Sequence, residues 1–329
     1  MIYGEQARVL VAKHLDARHV RLTLEGPQIA GSAKPGQFVN ILCREAELGQ
    51  RVFEGPEAYQ QYRQGQSSRE CLGKRLLRRP FAVHRVHGKE GTPASPPGSG
   101  RASFDVLFKI VGKGTAALAE VEVGETVDVL GPLGKGFDLR IADEVHEAVL
   151  VAGGVGLAPL FQLAQHLRRK GKKVHAFIGA LNEEQIPIET ADSGVPLSFM
   201  ESAEEVLLTS KEFEELGVTV GITTEQGVRG YRGLPTDLLE KYLGSLRSSA
   251  CRNVRVYACG PWGMMRASAG ICERQHVGCE VLLEERMGCG VGACMGCSVR
   301  VRTTEGEIVR KRICVDGPVF EAREVCWDE

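Results

Sequence analysis

Nothing in this chain marks it for a nucleic acid, a membrane or a secreted disulfide scaffold. Its 329 residues carry 41 basic and 42 acidic side chains, a formal net charge of -1, so it has no electrostatic footprint for nucleic acid or an anionic bilayer. No apolar run is long enough to span a membrane: the most apolar stretch, 148–164, is broken by Gly153, Gly154, Gly156 and Pro159. The opening residues lack the basic flank and apolar core of a secretory signal, which sets a cytoplasmic location as the expectation. Internal repeats are absent. Eleven cysteines, an odd number, fit reduced thiols better than a disulfide framework. The expected partners are small molecules or proteins.

What the chain does have is concentrated near its C-terminus. Cys289, Cys294 and Cys297 follow the spacing C-x4-C-x2-C, and Cys314 comes sixteen intervening positions later. That is the plant-type ligand order of a [2Fe-2S] cluster, an electron-transfer site. Gly290, Gly292 and Gly296 supply the tight turns and close N–H approach that a loop around bridging sulfides needs. A structural zinc site is the competing reading, but four-cysteine zinc sites come as two separated knuckles, which this spacing fits poorly.

Residues 7–130 read as short strands at 7–12, 20–24, 37–42, 81–85, 103–111 and 126–130, with apolar and polar residues alternating and Gly or Pro at the breaks. The pattern predicts a small antiparallel barrel. Two polar insertions, 44–78 and 87–102, interrupt it, and the second is rich in Pro and Gly. Arg79 and Pro80 stand at a strand mouth, where a guanidinium suits a diphosphate. Leu107, Phe108 and Lys109 run into a glycine turn at Gly114 and Thr115 that opens a short helix. Taken singly, either segment is as compatible with a structural role.

From residue 148 the texture becomes alternating strand and helix. The run 148–152 is apolar throughout, as in a strand buried on both faces. Gly153, Gly154, Val155 and Gly156 follow, then a helix to Lys170 with Pro159 in its first turn and Gly171 as its stop. Strand, glycine turn and helix suit a dinucleotide phosphate, although the G-x-G-x-x-G spacing is missing, and an ordinary strand-to-helix turn stays open on pattern alone. Further strands are predicted at 174–179, 197–200, 219–223, 254–258 and 280–283. Cys259, Gly260 and Pro261 end one of them, at the edge where open α/β sheets bind ligands, though a cysteine there also serves as a small buried hydrophobe. After the second of the nucleotide strands, 179–184 offers carboxylates and no arginine, which favours NAD over NADP.

Together these segments resemble the ferredoxin-reductase superfamily and, within it, the electron-transfer subunits of NAD-dependent (class 1B) dihydroorotate dehydrogenases. The most specific parts are 283–297 and 314–320, and the resemblance covers nearly all the chain outside the two insertions. It implies a multidomain fold: an antiparallel β-barrel flavin domain (1–143), an α/β parallel-sheet nucleotide domain (144–283) and a small C-terminal [2Fe-2S] segment (284–329). It further implies FAD contacts at Arg79, Pro80, Phe81, Ala82, Leu107, Phe108, Lys109, Gly114 and Thr115, and an NAD diphosphate against Gly153, Gly154, Val155 and Gly156. Cys259, with Gly260 and Pro261, would stand where nicotinamide meets the flavin, Cys259 as the catalytic residue. Cys289, Cys294, Cys297 and Cys314 would hold the cluster. Ala82 departs from the Ser or Thr usual in the family, so a hydroxyl near the flavin ring is missing, which bears on flavin tuning. The implied partner is an FMN-containing dihydroorotate dehydrogenase catalytic subunit in a heterotetramer. An NAD(P)H:ferredoxin oxidoreductase subunit of the bifurcating transhydrogenase type is the nearer alternative, although its relatives often have aspartate in place of the first cysteine. A non-catalytic iron–sulfur sensor or scaffold is the more distant one.

Overall fold

The computed structural model describes residues 1–43, 77–88, 94, 100–192, 197, 199, 208–227, 230–246, 251 and 253–328. The insertion expected at 44–78 falls outside these except for Leu77 and Arg78, and most of 87–102 does too. Arg78 and His87 in fact begin and end a barrel strand.

Six strands close into a barrel: β1 (Tyr3–His14), β2 (His19–Glu25), β3 (Phe38–Leu42), β4 (Arg78–His87), β5 (Ser103–Lys109) and β6 (Thr126–Leu133), in the order β1-β2-β5-β4-β3-β6. All neighbours are antiparallel, with Val39 opposite Phe81 and Leu22 opposite Val106. The two-residue period explains the interior: Val39 and Ile41 of β3 point into the barrel core with Val9, Leu22, Leu24, Val83, Val106 and Val129. Phe38 points the other way and joins a different core, shared with the C-terminal half.

The second half is built on β7 (Glu147–Gly153), β8 (Lys173–Ala180), the short ladder β9 (Thr190–Asp192) with β10 (Leu208–Ser210), β11 (Thr219–Thr224), β12 (Tyr231–Arg232), β13 (Val254–Cys259) and β14 (Gly278–Leu282). Its main sheet runs β12-β11-β8-β7-β13-β14, all parallel. Parallel strands need helical crossovers, and those helices cover both faces. The Leu157–Arg169 helix packs on Ala148, Leu150 and Ala152 of β7, while Pro235–Ser245 and Trp262–Arg274 pack on Val149 and Val151 from the other side. That is why 148–152 is apolar without alternation. The strand expected at 197–200 is not seen at its described residues: Leu197 and Phe199 are outside any strand, and Leu197 is buried in the core instead.

The C-terminal segment contributes a hairpin, β15 (Ser298–Arg302) with β16 (Ile308–Arg312), and then β17 (Val319–Glu321). β17 returns to the nucleotide sheet and pairs antiparallel with β14, placing Val319 opposite Leu282 and Phe320 opposite Val281. Cys297, Val299, Ile313, Cys314 and Phe320 consequently share one core with Val281, Leu283 and Phe38. Among the described residues no helix is long and apolar enough to cross a membrane.

A seam of charge joins the barrel to the nucleotide sheet. Glu212, just after β10, accepts from Arg21 of β2 and, at 3.3 Å, from Arg85 of β4. Arg85 also lies 4.4 Å from the ring centre of Phe161 on the Leu157–Arg169 helix, and His84 packs on the same ring at 4.7 Å.

Candidate functional site

A cleft of about 830 Å³ opens between the barrel and the carboxyl ends of the parallel strands. The barrel side is walled by Pro80, Phe81, Ala82, Leu107, Phe108, Lys109 and Thr115, and the sheet side by Gly153, Gly154, Val155, Gly156, Gly260 and Pro261. Residues that the sequence scatters over 180 positions thus face one space, at the upper end of the size range of small-molecule sites.

Local chemistry explains the shape of each wall. Thr115 Oγ1 accepts from the N–H groups of Val111 and Gly112 and donates to the Gly112 carbonyl, so this hydroxyl builds the turn. On the sheet side two turns interlock. A Cβ on Gly156 would lie 2.2 Å from the Cys259 carbonyl oxygen, and one on Gly153 would lie 2.4 Å from Pro261 Cδ. Backbone stands where side chains have no room, which leaves the turn's surface open to a ligand.

Three expected residues behave differently from the rest. Arg79 does not wall the cleft: its guanidinium donates to the carbonyls of Leu77 and Arg78 and lies against Gly114, whose Cβ would stand 3.2 Å from Arg79 Nε. Gly114 accordingly serves as the bed for that side chain. Cys259 is fully buried, and burial pushes its thiol well above the ordinary value. Its carbonyl packs beneath Gly156 and so supports the site from below, and the expectation of a thiol at the reacting face is not met in this arrangement.

Several residues of the cleft went unnoticed in the sequence. His19, Phe38, Met264, Glu284 and Met287 line it, as do Gln185 and Glu225 beyond β8 and β11. Glu284 was accessible to a simple rule, since it stands at the carboxyl end of a sheet strand. Its carboxyl is raised by enclosure between the cleft walls, although water still reaches the side chain. His19 carried no such signal; it is held by Asp16, whose Oδ2 lies 2.6 Å from Nδ1.

From Met287 the chain passes in two residues to Cys289 and the thiol loop. Cys289 Sγ accepts backbone N–H bonds from Val291, Ala293 and Cys294 at 3.5, 3.2 and 3.4 Å. The bonds from Val291 and Cys294 lead in holding this thiol down to about 6, whereas burial pushes Cys314 up to about 12. Cys289 stands beside Cys294, and Cys297 beside Cys314. The loop is shaped by Gly290 at φ 68° and by Met295 at φ 61°, a left-handed conformation that a methionine adopts only where its surroundings enforce it. Arg312 ties the far side, donating to the Gly292 carbonyl at 2.9 Å and to Asp316 Oδ2 at 3.3 Å.

The donor set fits a binuclear cluster. Among the described residues no three His, Cys, Asp or Glu side chains converge on one ion position, but two thiol pairs suit two irons, and N–H groups aimed at sulfur suit negative charge. The cleft likewise fits a flavin beside a nicotinamide nucleotide, with apolar walls, Lys109 and glycine turns along its sheet side.

Comparison with known proteins agrees. The iron–sulfur cluster binding domain of dihydroorotate dehydrogenase B matches residues 284–326, and an oxidoreductase NAD-binding domain matches 150–270. The chain is 30% identical to the dihydroorotate dehydrogenase B (NAD(+)) electron transfer subunit of Desulforamulus reducens over 98% of both chains. It is 33% identical to that of Bacillus caldolyticus over 99% of both. Among solved structures, one of an NADH-dependent reduced ferredoxin-NADP oxidoreductase, described for flavin-based electron bifurcation, superposes with a TM-score of 0.68 at 25% identity, covering 98% of this chain and 91% of that one. With four thiols, a flavin-sized cleft and full-length similarity in hand, the chain belongs to the family of dihydroorotate dehydrogenase B electron transfer subunits.

Proposed function

We propose that this chain is the electron-carrying half of an NAD-linked dihydroorotate dehydrogenase, accepting electrons from an FMN-containing catalytic subunit within a heterotetramer and delivering them to NAD+. The observation that carries the reading is the shared wall: Glu284 and Met287 line the cleft, and Cys289 follows at once. When bound, a [2Fe-2S] cluster supplies one-electron transfer and FAD converts between single electrons and the pair that nicotinamide exchanges.

In this reading Pro80, Phe81, Ala82, Leu107, Phe108 and Lys109 hold FAD, and Arg79 with Gly114 and Thr115 shapes the turn beside it. Gly153 to Gly156 give a nucleotide diphosphate access to backbone N–H groups, and Gly260 and Pro261 face the nicotinamide while Cys259 supports them from beneath. Cys289 and Cys294 hold one iron, Cys297 and Cys314 the other. The division into 1–143, 144–283 and 284–329 belongs to the same proposal, as does a cytoplasmic location.

Oxidation of dihydroorotate falls to the partner. It needs a base for a carbon-bound proton and an FMN for hydride, and a barrel of about 250 residues to hold them. The test is reconstitution. Alone, the chain is expected to reduce dyes with NADH and to leave dihydroorotate untouched; mixed with the FMN subunit, dihydroorotate reduces NAD+. Ferredoxin reduction in place of that activity would move the chain to the bifurcating oxidoreductases, which the solved-structure likeness keeps as the second reading.

A further inference from the structure

Asn40 is a polar residue in an apolar place. It lies on β3 between Val39 and Ile41, whose side chains enter the barrel core, so its own side chain leaves the barrel on the Phe38 face. There it is 2% exposed, covered by the thiol loop. Its Nδ2 donates to the Cys289 carbonyl oxygen at 3.4 Å, while its Oδ1 is buried without a hydrogen-bond partner among the described residues. A leucine would fill a similar volume without stranding an acceptor, so packing alone gives no reason for an amide here.

The fit at this point is close. A Cβ on Gly290 would stand 2.0 Å from Asn40 Nδ2, so the loop presses its backbone onto the amide at the residue that follows the first thiol. Gly290 also sits at φ 68°, and the turn it makes brings the N–H groups of Val291, Ala293 and Cys294 round to Cys289 Sγ. On its other side Asn40 is the ladder neighbour of Pro80, which walls the cleft, and its carbonyl accepts from Arg78 Nη1 at 3.2 Å. One residue therefore touches both the strand pair that forms the flavin wall and the backbone of the first cluster ligand.

We infer that Asn40 is a positioning residue for the iron–sulfur site: by holding the Cys289 carbonyl from the barrel, its amide fixes the loop's N–H groups on the Cys289 sulfur and fixes the loop against the flavin wall. The inference rests on the reading that Cys289, Cys294, Cys297 and Cys314 hold a [2Fe-2S] cluster. It assigns Asn40 no contact with the cluster itself. Removing the donor leaves the barrel core intact and frees the Cys289 peptide to turn, which disturbs the N–H···S bonds.

The test uses the full chain, purified without oxygen, as the parent and as Asn40→Leu and Asn40→Asp. Both variants are expected to keep FAD and to reduce dyes with NADH within about twofold of the parent. Both should lose iron to a chelator about tenfold faster, the scale of one net hydrogen bond, and should shift the electron paramagnetic resonance spectrum of the dithionite-reduced chain. A parental spectrum and parental iron loss in both variants would overturn the proposal. Loss of flavin together with iron in both would overturn it too, because Asn40 would then be a packing residue of the barrel. Gly290→Ala adds a further check: in the Asn40→Ala background its effect on iron loss should shrink, since the colliding amide is gone, whereas fully additive effects would count against the contact. Failure of the underlying reading looks different, as a parent chain whose cluster spectrum survives Cys294→Ser.

Discussion

At Glu280 burial works against ionisation. The side chain, on β14, is almost wholly enclosed beside β13 and β17; its Oε1 accepts from the Asp138 N–H at 3.4 Å, and its Oε2 has no hydrogen-bond partner among the described residues. Arg255 lies 3.7 Å away but donates to Glu321 instead, and Tyr257 and Asp138 complete the surroundings. Desolvation, only partly opposed by Arg255, pushes the carboxyl up to about 7 from an ordinary 4.5. A raised carboxyl binds its proton more tightly in the folded state, so its contribution to stability is complete below about 4.5 and lost as pH rises through about 7. The loss amounts to roughly 3 kcal/mol. Glu280→Gln is therefore expected to flatten the decline of melting temperature between pH 5 and 8, and an unchanged slope would remove Glu280 as its cause. The thiols were legible as residues because their spacing is itself the chemistry. Cys294→Ser should abolish the visible cluster spectrum while FAD content and NADH:dye reduction persist, as absorbance and a dye assay would report. Cys259 was less legible, since sequence gives a residue's place on a strand but not whether it reaches the ligand or only supports the residues that do.

Among the elements, the interlocked turns after β7 and β13 carry the sharpest requirement. The atoms facing Gly156 are backbone atoms of Cys259 and Gly260, which cannot swing aside. Gly156→Ala is expected to cut NADH:dye reduction by more than about tenfold with FAD still bound, the cost of forcing two packed backbones apart; activity within twofold would show that the turns part easily. Glu225 and Gln185 line the cleft, and Glu225 brings a carboxylate to the carboxyl end of β11. NAD should accordingly be preferred over NADP, and comparable kcat/KM values for the two would contradict it. Elements with a strong period were readable in advance: the apolar run of β7 and the alternation of the barrel strands reflect burial on two faces or one. The three-residue β17 was not, because Val319, Phe320 and Glu321 are too few to show a period, and their partner β14 lies some forty residues earlier. Leu197 misled for the opposite reason, as a buried leucine satisfies the core without belonging to a strand.

For the molecule as a whole, Glu212 holds two halves in register. Desolvation opposes its charge, but His84, Arg21 and Arg85 hold it well below the usual carboxylate range. A depressed carboxyl contributes stability that is complete above its ordinary value and lost only as pH falls toward the folded one, so this seam is at full strength near neutrality. Glu212→Gln should leave FAD on the barrel yet slow flavin reduction by NADH, since the two walls of the cleft are no longer drawn together; an unchanged rate in a stopped-flow trace would show that the walls need no such tie. The seam was invisible in sequence because its members come from β2, β4 and the short Lys211–Glu214 helix after β10, which only the closed fold brings together. The placement of β17 has a consequence in time. A growing chain finishes β14 well before the residues that will cover it, and it makes Cys314 before Val319. Until β17 is added, β14 stands as an open edge able to capture a neighbour. A chain cut before Val319 is therefore expected to aggregate through that edge, and light scattering no greater than that of the full chain would show that β14 needs no cover.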